Sequence, residues 1–391
     1  MHAPANAAPM SRTASITAAI SAISVVGMGI SLSIPLLSLE MEARGINNSW
    51  IGINTAVAGI ATVLTAPFIP WMVRRVGPRW LLGLAILVTA LSLPAFKAAS
   101  WFTLWFPLRF LLGAALCVLF AVSEFWINAV APPHRRGLIM GIYATALSIG
   151  AAMGPALLSL VGPQGWAPYL IGAGVLACGI IPIIAAKGMA PRIADKGTGP
   201  GVLGFVRRSP TATLAALVFG AIETAVMSFL PLYGLRLGLP DGQASLLLTI
   251  AVLGNVAFQI PLGIISDRID RRILLLFCSS VGTVGAFILP HVPVASVTFH
   301  IAIFLVTGIV GSLYTVGLAH LGSRFHGADL ATANAAFVML YSIGLIIGPP
   351  LVGFGMDLHN PFGFAYVIGG MLGAYVLVVG SRFLASGRAN A

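Results

Sequence analysis

The sequence predicts an all-α membrane protein of twelve transmembrane helices, arranged as two pseudo-symmetric bundles of six. Three observations carry this. The 391 residues are 58% hydrophobic and 8% charged, with a mean hydropathy of +1.00. Soluble domains carry about 25% charged residues, so the solvent for this much apolar surface is lipid. Apolar runs near the ~20 residues that a span needs recur twelve times along the chain. Finally, two different motifs each occur twice at nearly one spacing. Pro70-Trp71-Met72-Val73-Arg74-Arg75-Val76-Gly77-Pro78-Arg79 has its counterpart in Gly263-Ile264-Ile265-Ser266-Asp267-Arg268-Ile269-Asp270-Arg271-Arg272, and Asp267 lies 193 residues after Arg74. Ser148-Ile149-Gly150 leads to Gly154-Pro155, Ser342-Ile343-Gly344 leads to Gly348-Pro349, and Ser342 lies 194 residues after Ser148. Two motifs at one offset imply a duplicated unit, and a duplicated apolar unit implies a transporter with its path between halves.

In chain order, the first run, 13–38, follows Arg12 and is read as a retained span, because no small-residue cleavage site follows a short apolar core. The second, 49–73, lies between Arg44 and the cluster Arg74, Arg75 and Arg79. Runs 80–96 and 102–129 flank Lys97; 137–161 opens after Arg135 and Arg136; 166–186 completes the first bundle, 1–187. The stretch 188–209 is polar, rich in Gly and Pro, and holds Arg192, Asp195, Lys196, Arg207 and Arg208, which makes it a linker on the side of the termini. The second bundle, 210–391, repeats the plan at 210–235, 244–265, 273–289, 296–319, 331–353 and 362–384.

Orientation follows from Lys and Arg. Seventeen of the 21 fall on the side that holds both termini, three (Arg44, Lys97, Arg236) on the other, and Arg109 inside a span. Both termini are therefore expected in the cytoplasm of a cell inner membrane. The basic balance is an orientation signal, so no nucleic-acid partner is expected. Cys117, Cys178 and Cys278 all fall in apolar runs without disulfide or metal spacing, and no metal site is expected.

The duplicated motifs resemble the major facilitator superfamily. Its hallmark between helices 2 and 3 is met by Gly263, Asp267, Arg268, Arg271 and Arg272, with Asp270 where a Gly is usual. The first copy departs: Pro70, Arg74 and Pro78 replace a Gly, the Asp and a basic residue. The resemblance implies a conformational latch made by Asp267, Arg268, Arg271 and Arg272, and in the first half by Arg75 or Arg74 with Glu124. The bland alternative is that these arginines only satisfy the orientation rule. Gly150, Gly154 and Pro155 partly match the family's antiporter motif, and Gly344, Gly348 and Pro349 repeat it; small-xxx-small spacing also serves plain helix packing. Residues Ser123 to Asn128, with Arg136, Gly137 and Gly141, resemble bacterial permeases of undefined substrate.

Charge inside a span is costly and marks function by default. Glu223 sits near the middle of helix 7 and Arg109 a third of the way into helix 4, two helices that line the cavity in this family. A carboxyl that takes up and releases a proton is what a proton-coupled carrier needs, and Glu223 is the candidate. Arg109 keeps its charge and needs an acceptor: an anionic substrate group, Glu223, or helix-end carbonyls. Arg109, Gly113, Cys117, Phe120 and Glu124 recur at helical spacing, which places them on one face. Ser33, Asn54, Tyr143, Asn255, Gln259, Tyr314 and Tyr341 are polar candidates for the cavity, or for bonds between helices. Phe120, Phe219, Met28 and Met227 suit a greasy wall, or packing. His320 is expected at the interface.

No Gly-x-x-x-x-Gly-Lys-Ser/Thr loop appears, so nucleotide hydrolysis is not the direct energy source. No catalytic constellation appears, and the chain is not expected to be an enzyme. The expectation is a monomeric secondary carrier of the rocker-switch kind, without cofactor, that uses a proton gradient to export a small hydrophobic or drug-like compound. Uptake or exchange of a sugar or organic anion is the first alternative, and a non-transporting membrane receptor an alternative of another class.

Overall fold

The computed structural model describes residues 9–130, 136–186, 209–294, 296–325 and 327–389. The expected linker, 188–209, lies outside these apart from Ser209. Among the described residues all regular structure is helical, and twelve helices are long and apolar enough to cross a membrane. They are α1 (Pro9–Ala43), α2 (Asn48–Val76), α3 (Pro78–Ala98), α4 (Trp105–Val130), α5 (Arg136–Val161), α6 (Ala167–Ala185), α7 (Pro210–Arg236), α8 (Asp241–Ser266), α9 (Arg271–Ile288), α10 (Val297–Gly322), α11 (Gly327–Leu358) and α12 (Gly363–Ala389).

Proline and glycine punctuate these helices where backbone chemistry demands it. In α2 a 3-10 turn, Ala66–Phe68, interrupts the ladder at Pro67, because proline has no N–H to donate. In α6 the break is at Gly179, between Ala167–Cys178 and Ile180–Ala185, and Ser21 Oγ donates to the Gly179 carbonyl at 3.0 Å. Two helices run past the ends expected from hydropathy. α1 continues from 38 to Ala43, and α11 from 353 to Leu358. Both extensions carry acids (Glu40, Glu42, Asp357) that find partners. Arg44 Nε, for one, meets Glu40 Oε1 at 3.1 Å. Hydropathy ends a helix at its first charges; paired charges let it go on.

The chain forms two compact units: Met1–Leu37 with Val57–Lys196, and Ser38–Ala56 with Gly197–Ala391. The second unit thus takes in the last turns of α1 and the first turns of α2. The same device builds each unit. In the first, a Cβ on Gly150 or Gly154 of α5 would collide with the Ser24 carbonyl or the Ser31 hydroxyl of α1. In the second, a Cβ on Gly344 or Gly348 of α11 would collide with the carbonyls of Leu217 and Ala221 of α7. The duplicated glycines therefore let α5 lie on α1, and α11 on α7, backbone to backbone.

Gly344→Leu is expected to lower the thermal midpoint of the detergent-solubilised protein by several degrees, since overpacking of this kind costs about 1–3 kcal/mol. Gly370→Leu, where a side chain meets open space, is the control and should leave the midpoint within about a degree. Equal melting of the two variants would contradict the close approach.

Candidate transport site

Glu223 is positioned by a backbone contact. Three residues before it, Gly220 meets the carbonyl of Tyr341 so closely that a Cβ there would collide. That contact sets the register of α7 on α11 and brings the Tyr341 hydroxyl to Glu223, where it donates to Oε2 at 2.6 Å. An aromatic cluster surrounds the bond. Phe219 stacks on Tyr341 with centroids 6.0 Å apart and meets Tyr314 at 5.5 Å. Tyr314 stands edge-on to Tyr341 at 5.6 Å and to Phe337 at 5.1 Å. Glu223, Tyr314 and Tyr341 are half-buried and Phe219 is buried.

Glu223 also lines a recess of about 90 Å3 walled by α7, α8, α9, α10 and α12, all of the second unit. Its walls are aliphatic apart from Phe219, Phe364, Met227, Asn255, Thr307 and Glu223. Thr307 donates to the Ile303 carbonyl at 2.6 Å, and Asn255 Oδ1 accepts from Gln259 at 2.9 Å. Glu223 is the only ionisable side chain among the lining residues. Gly311 leaves room for the Asn255 amide, which a Cβ there would strike. A cavity of about 150 Å3 takes benzene, and drug-sized ligands need roughly 300–1,000 Å3. The recess therefore accepts one group of a ligand, not a whole drug-like molecule.

Arg109 lies elsewhere. It is 1% exposed, and its Nη1 donates to the Ser33 carbonyl of α1 at 3.5 Å. One turn on, Gly113 meets the backbone of Ala58 in α2, and Cys117 Sγ donates to the Thr62 carbonyl at 3.7 Å. Further along, Phe120 and Glu124 are exposed. The first half of the face from Arg109 to Glu124 is thus spent on α1 and α2. Arg109 is not among the walls of the recess that Glu223 lines.

Of the other candidates, Phe219, Met227 and Asn255 line the recess, Tyr314 and Tyr341 form the aromatic cluster, and Gln259 is exposed. Tyr143 and Ser123 share a hydrogen bond of 3.0 Å within the first unit. Asn54 is fully buried, with neither amide atom hydrogen-bonded among the described residues. His320 is 6% exposed and stands in the last turn of α10.

The duplicated basic motif does local work. Arg79 Nε and Nη2 donate to the carbonyls of Ile183 and Ile184, at 3.0 and 2.5 Å, at the C-terminal end of α6, where a cation is favoured. In the second copy Asp267 pairs with Arg271 at 3.1 Å, joining the end of α8 to the start of α9. Asp270, which stands where a glycine is usual, caps α9 by accepting from the Arg272 N–H at 2.8 Å. Arg74, Arg75 and Arg268 are exposed.

A polar fastening escaped the sequence reading. At the end of α7, Arg236 holds Glu42 of α1 through three bonds of 2.7–3.0 Å. The same guanidinium donates to Asn48 Oδ1 at 2.9 Å and to Asn360 Oδ1 at 3.0 Å. Asn48 passes the chain on: its backbone N–H and its amide donate to Asp357 of α11 at 3.0 and 2.6 Å. Ser49 donates to the other Asp357 oxygen from its N–H at 2.9 Å and its hydroxyl at 2.5 Å. Asp357 thereby caps the N-terminus of α2, where a carboxylate is favoured. Below this layer Ser228 of α7 meets Ser38 at 2.7 Å and Thr55 at 3.1 Å. A signal was present: Glu42 and Arg236 are 194 residues apart, the spacing of the duplicated motifs, so they occupy equivalent ends of α1 and α7.

The Major Facilitator Superfamily pattern matches residues 19–242 and again 212–390. The chain belongs to the Major Facilitator Superfamily. The two overlapping matches cover nearly all of it, as expected of a duplicated unit, and they make it a multi-pass membrane transporter. The uncharacterized MFS-type transporter YfkF of Bacillus subtilis (strain 168) is 25% identical over 357 residues, 88% of this chain and 90% of that protein. Among solved structures, the nucleoside transporter NupG superposes with a TM-score of 0.77 at 14% identity, over 96% of this chain and 98% of that one. A D-xylose-proton symporter does so with 0.70 at 18% identity, over 95% and 97%. These likenesses to solved structures establish the fold.

Tyr341→Phe removes the donor to Glu223, and hydrogen bonds to charged groups are worth about 1.5–3 kcal/mol. The expected result is a lower melting midpoint and a shifted infrared band of the Glu223 carboxyl, identified by its loss in Glu223→Gln. An unshifted band would show that the bond is not made.

Proposed function

We propose that this transporter is a secondary active carrier that couples export of a small hydrophobic compound to proton entry, with Glu223 as the coupling acid. One observation carries the reading: among the residues lining its recess, Glu223 is a lone acid, half-buried in apolar walls, with a neutral tyrosine as its donor. Such a carboxyl has two available states, proton-bearing and charged, and no cation in the recess holds it in the second. The distribution of Lys and Arg supports cytoplasmic termini, and the carrier works as a monomer.

The fastening at the ends of α1, α2, α7 and α11 supports alternating access. It ties segments from both sequence repeats on the face opposite the termini, and a carrier must open that face in each cycle. A bidentate pair that is partly exposed contributes roughly 1 kcal/mol, enough to favour a state and little enough to release it.

A second reading, proton-linked uptake or exchange of a sugar, nucleoside or organic anion, draws on the names of the nucleoside transporter and the D-xylose-proton symporter. The polar poverty of the Glu223 recess favours export of a greasy compound over it.

Flux into proteoliposomes tests the coupling. Glu223→Gln is expected to abolish accumulation driven by a pH gradient while leaving substrate exchange in place; gradient-driven accumulation by this variant would remove Glu223 from the coupling role. The fastening has its own test. Glu42→Arg and Arg236→Glu should each slow flux, by about tenfold if ~1.4 kcal/mol of state preference is lost. The double variant, which restores the pair in reverse, should recover most of it. No recovery would mean that the pair does not set the cycle.

A further inference from the structure

We propose that the second unit holds a binding site for a phosphate group, built from His320 in the last turn of α10 and from Arg271, Arg272 and Arg324 around it. None of these residues lines the Glu223 recess, and the site does not depend on what the carrier moves.

Buried nitrogens without partners mark the place. His320 is 6% exposed, and its Nε2 makes no hydrogen bond among the described residues. Nε of Arg271 is likewise buried and unbonded. Folded chains rarely leave such atoms unanswered, because burial strips them of water. Arg271 is held in place all the same, since its Nη2 pairs with Asp267 at 3.1 Å. One edge of the guanidinium is thus spent and another is spare.

The surrounding charges decide what answers these atoms. Arg324, Arg272 and Arg271 stand close enough to act on the His320 ring, and Asp270 acts on it with the opposite sign. Asp270 is turned toward its own helix, where it accepts from the Arg272 N–H at 2.8 Å. Asp267 is turned toward Arg271. Three guanidiniums against two carboxylates leave one positive charge, before the exposed Arg268 or a proton on the ring is counted. That sign disfavours a metal cation, although a bare imidazole nitrogen would otherwise suit one. An uncharged ligand would leave the excess unanswered, whereas a singly charged anion balances it.

Among anions, phosphate fits the donors best. An arginine fork pairs with two phosphate oxygens at once, and the imidazole adds an N–H from Nε2. These donors come from both α9 and the end of α10, which suits a tetrahedral group better than a planar carboxylate. The N-terminal end of α9 favours an anion as well. Nε2 is covered, so the phosphate enters as the long side chains of Arg272, half-buried, and Arg324, exposed, swing round it. Bound there, it ties α9 to α10, as Asp267 and Arg271 tie α8 to α9.

A phosphate group has two sources, an anionic lipid headgroup and free phosphate. Calorimetry on the full-length protein in a neutral detergent, at fixed ionic strength, separates them. The probes are inorganic phosphate and a short-chain phosphatidylglycerol, with the matching diacylglycerol as the control that lacks the phosphate. Tighter binding of phosphatidylglycerol than of phosphate assigns the lipid; the reverse assigns the free ion; either sustains the site. Arg272→Gln and Arg324→Gln should each weaken that binding about tenfold, since each removes a charge-assisted bond. Arg382→Gln, which removes an exposed charge of α12, should change it by less than about twofold, because distant surface charges are screened. The nitrogen resonance of His320 Nε2, identified by its loss in His320→Gln, should shift on saturation. Binding of neither phosphate probe, diacylglycerol binding as tightly as phosphatidylglycerol with no binding of phosphate, an equal loss in Arg382→Gln, or an unmoved resonance would overturn the proposal. The probes and the arginine variants decide it even where His320→Gln folds poorly.

Discussion

The contact between α7 and α11 is the constraint on which the site depends. Gly220, Gly344 and Gly348 let the two backbones touch, with carbonyl oxygens occupying the space a Cβ would need. In lipid no hydrophobic force drives one apolar helix onto another, so close packing and hydrogen bonds must hold them. The glycines supply the packing and thereby fix the rotation of each helix. Once that rotation is set, Tyr341 faces Glu223 and the rings of Phe219 and Tyr314 fall beside it. The first unit uses the equivalent glycines of α5 against α1. There the neighbouring polar feature is different: Arg109 reaches the carbonyl of Ser33. The repeat has kept its packing device and changed its chemistry.

This division of labour separates framework from function in physical terms. The framework tolerates little: a side chain in place of Gly344 or Gly348 meets a backbone atom, which cannot swing aside. The chemistry, by contrast, sits on side chains: Glu223 is half-buried and Arg109 is buried. An acid in the second unit, enclosed by apolar walls, and a guanidinium in the first, enclosed by α1, α2 and α4, are two outcomes built on one duplicated scaffold.

The fastening around Arg236 is made of polar contacts within the second unit. Asp357 binds the first N–H groups of α2, and Arg236 joins Glu42 to Asn48. Asn48 is 3% exposed, while Arg236 and Glu42 are half-buried. An apolar joint of the same extent would resist opening, because its separation would expose surface at about 25 cal/mol per Å2. Backbone contacts of Gly52 with Pro349, and of Gly353 with Asn48, give the same joint its shape.

Hydropathy alone determined that this chain spans a membrane twelve times, and the repeat spacing alone determined that it is a duplicated carrier fold. Both are properties of a line of residues in a known solvent. Glu223 and Arg109 stood out for the same reason, as charges where lipid forbids them. What the sequence left open was partnership. Nothing in the spacing of Tyr341 or Asp357 says that one meets Glu223 and the other caps α2, since those pairs join residues 118 and 309 positions apart. The partners of the face from Arg109 to Glu124 were open likewise, because periodicity tells which residues lie together on a helix but not what lies opposite. Tertiary structure decided these matters, through helix rotations and crossings that only the packed glycine contacts define.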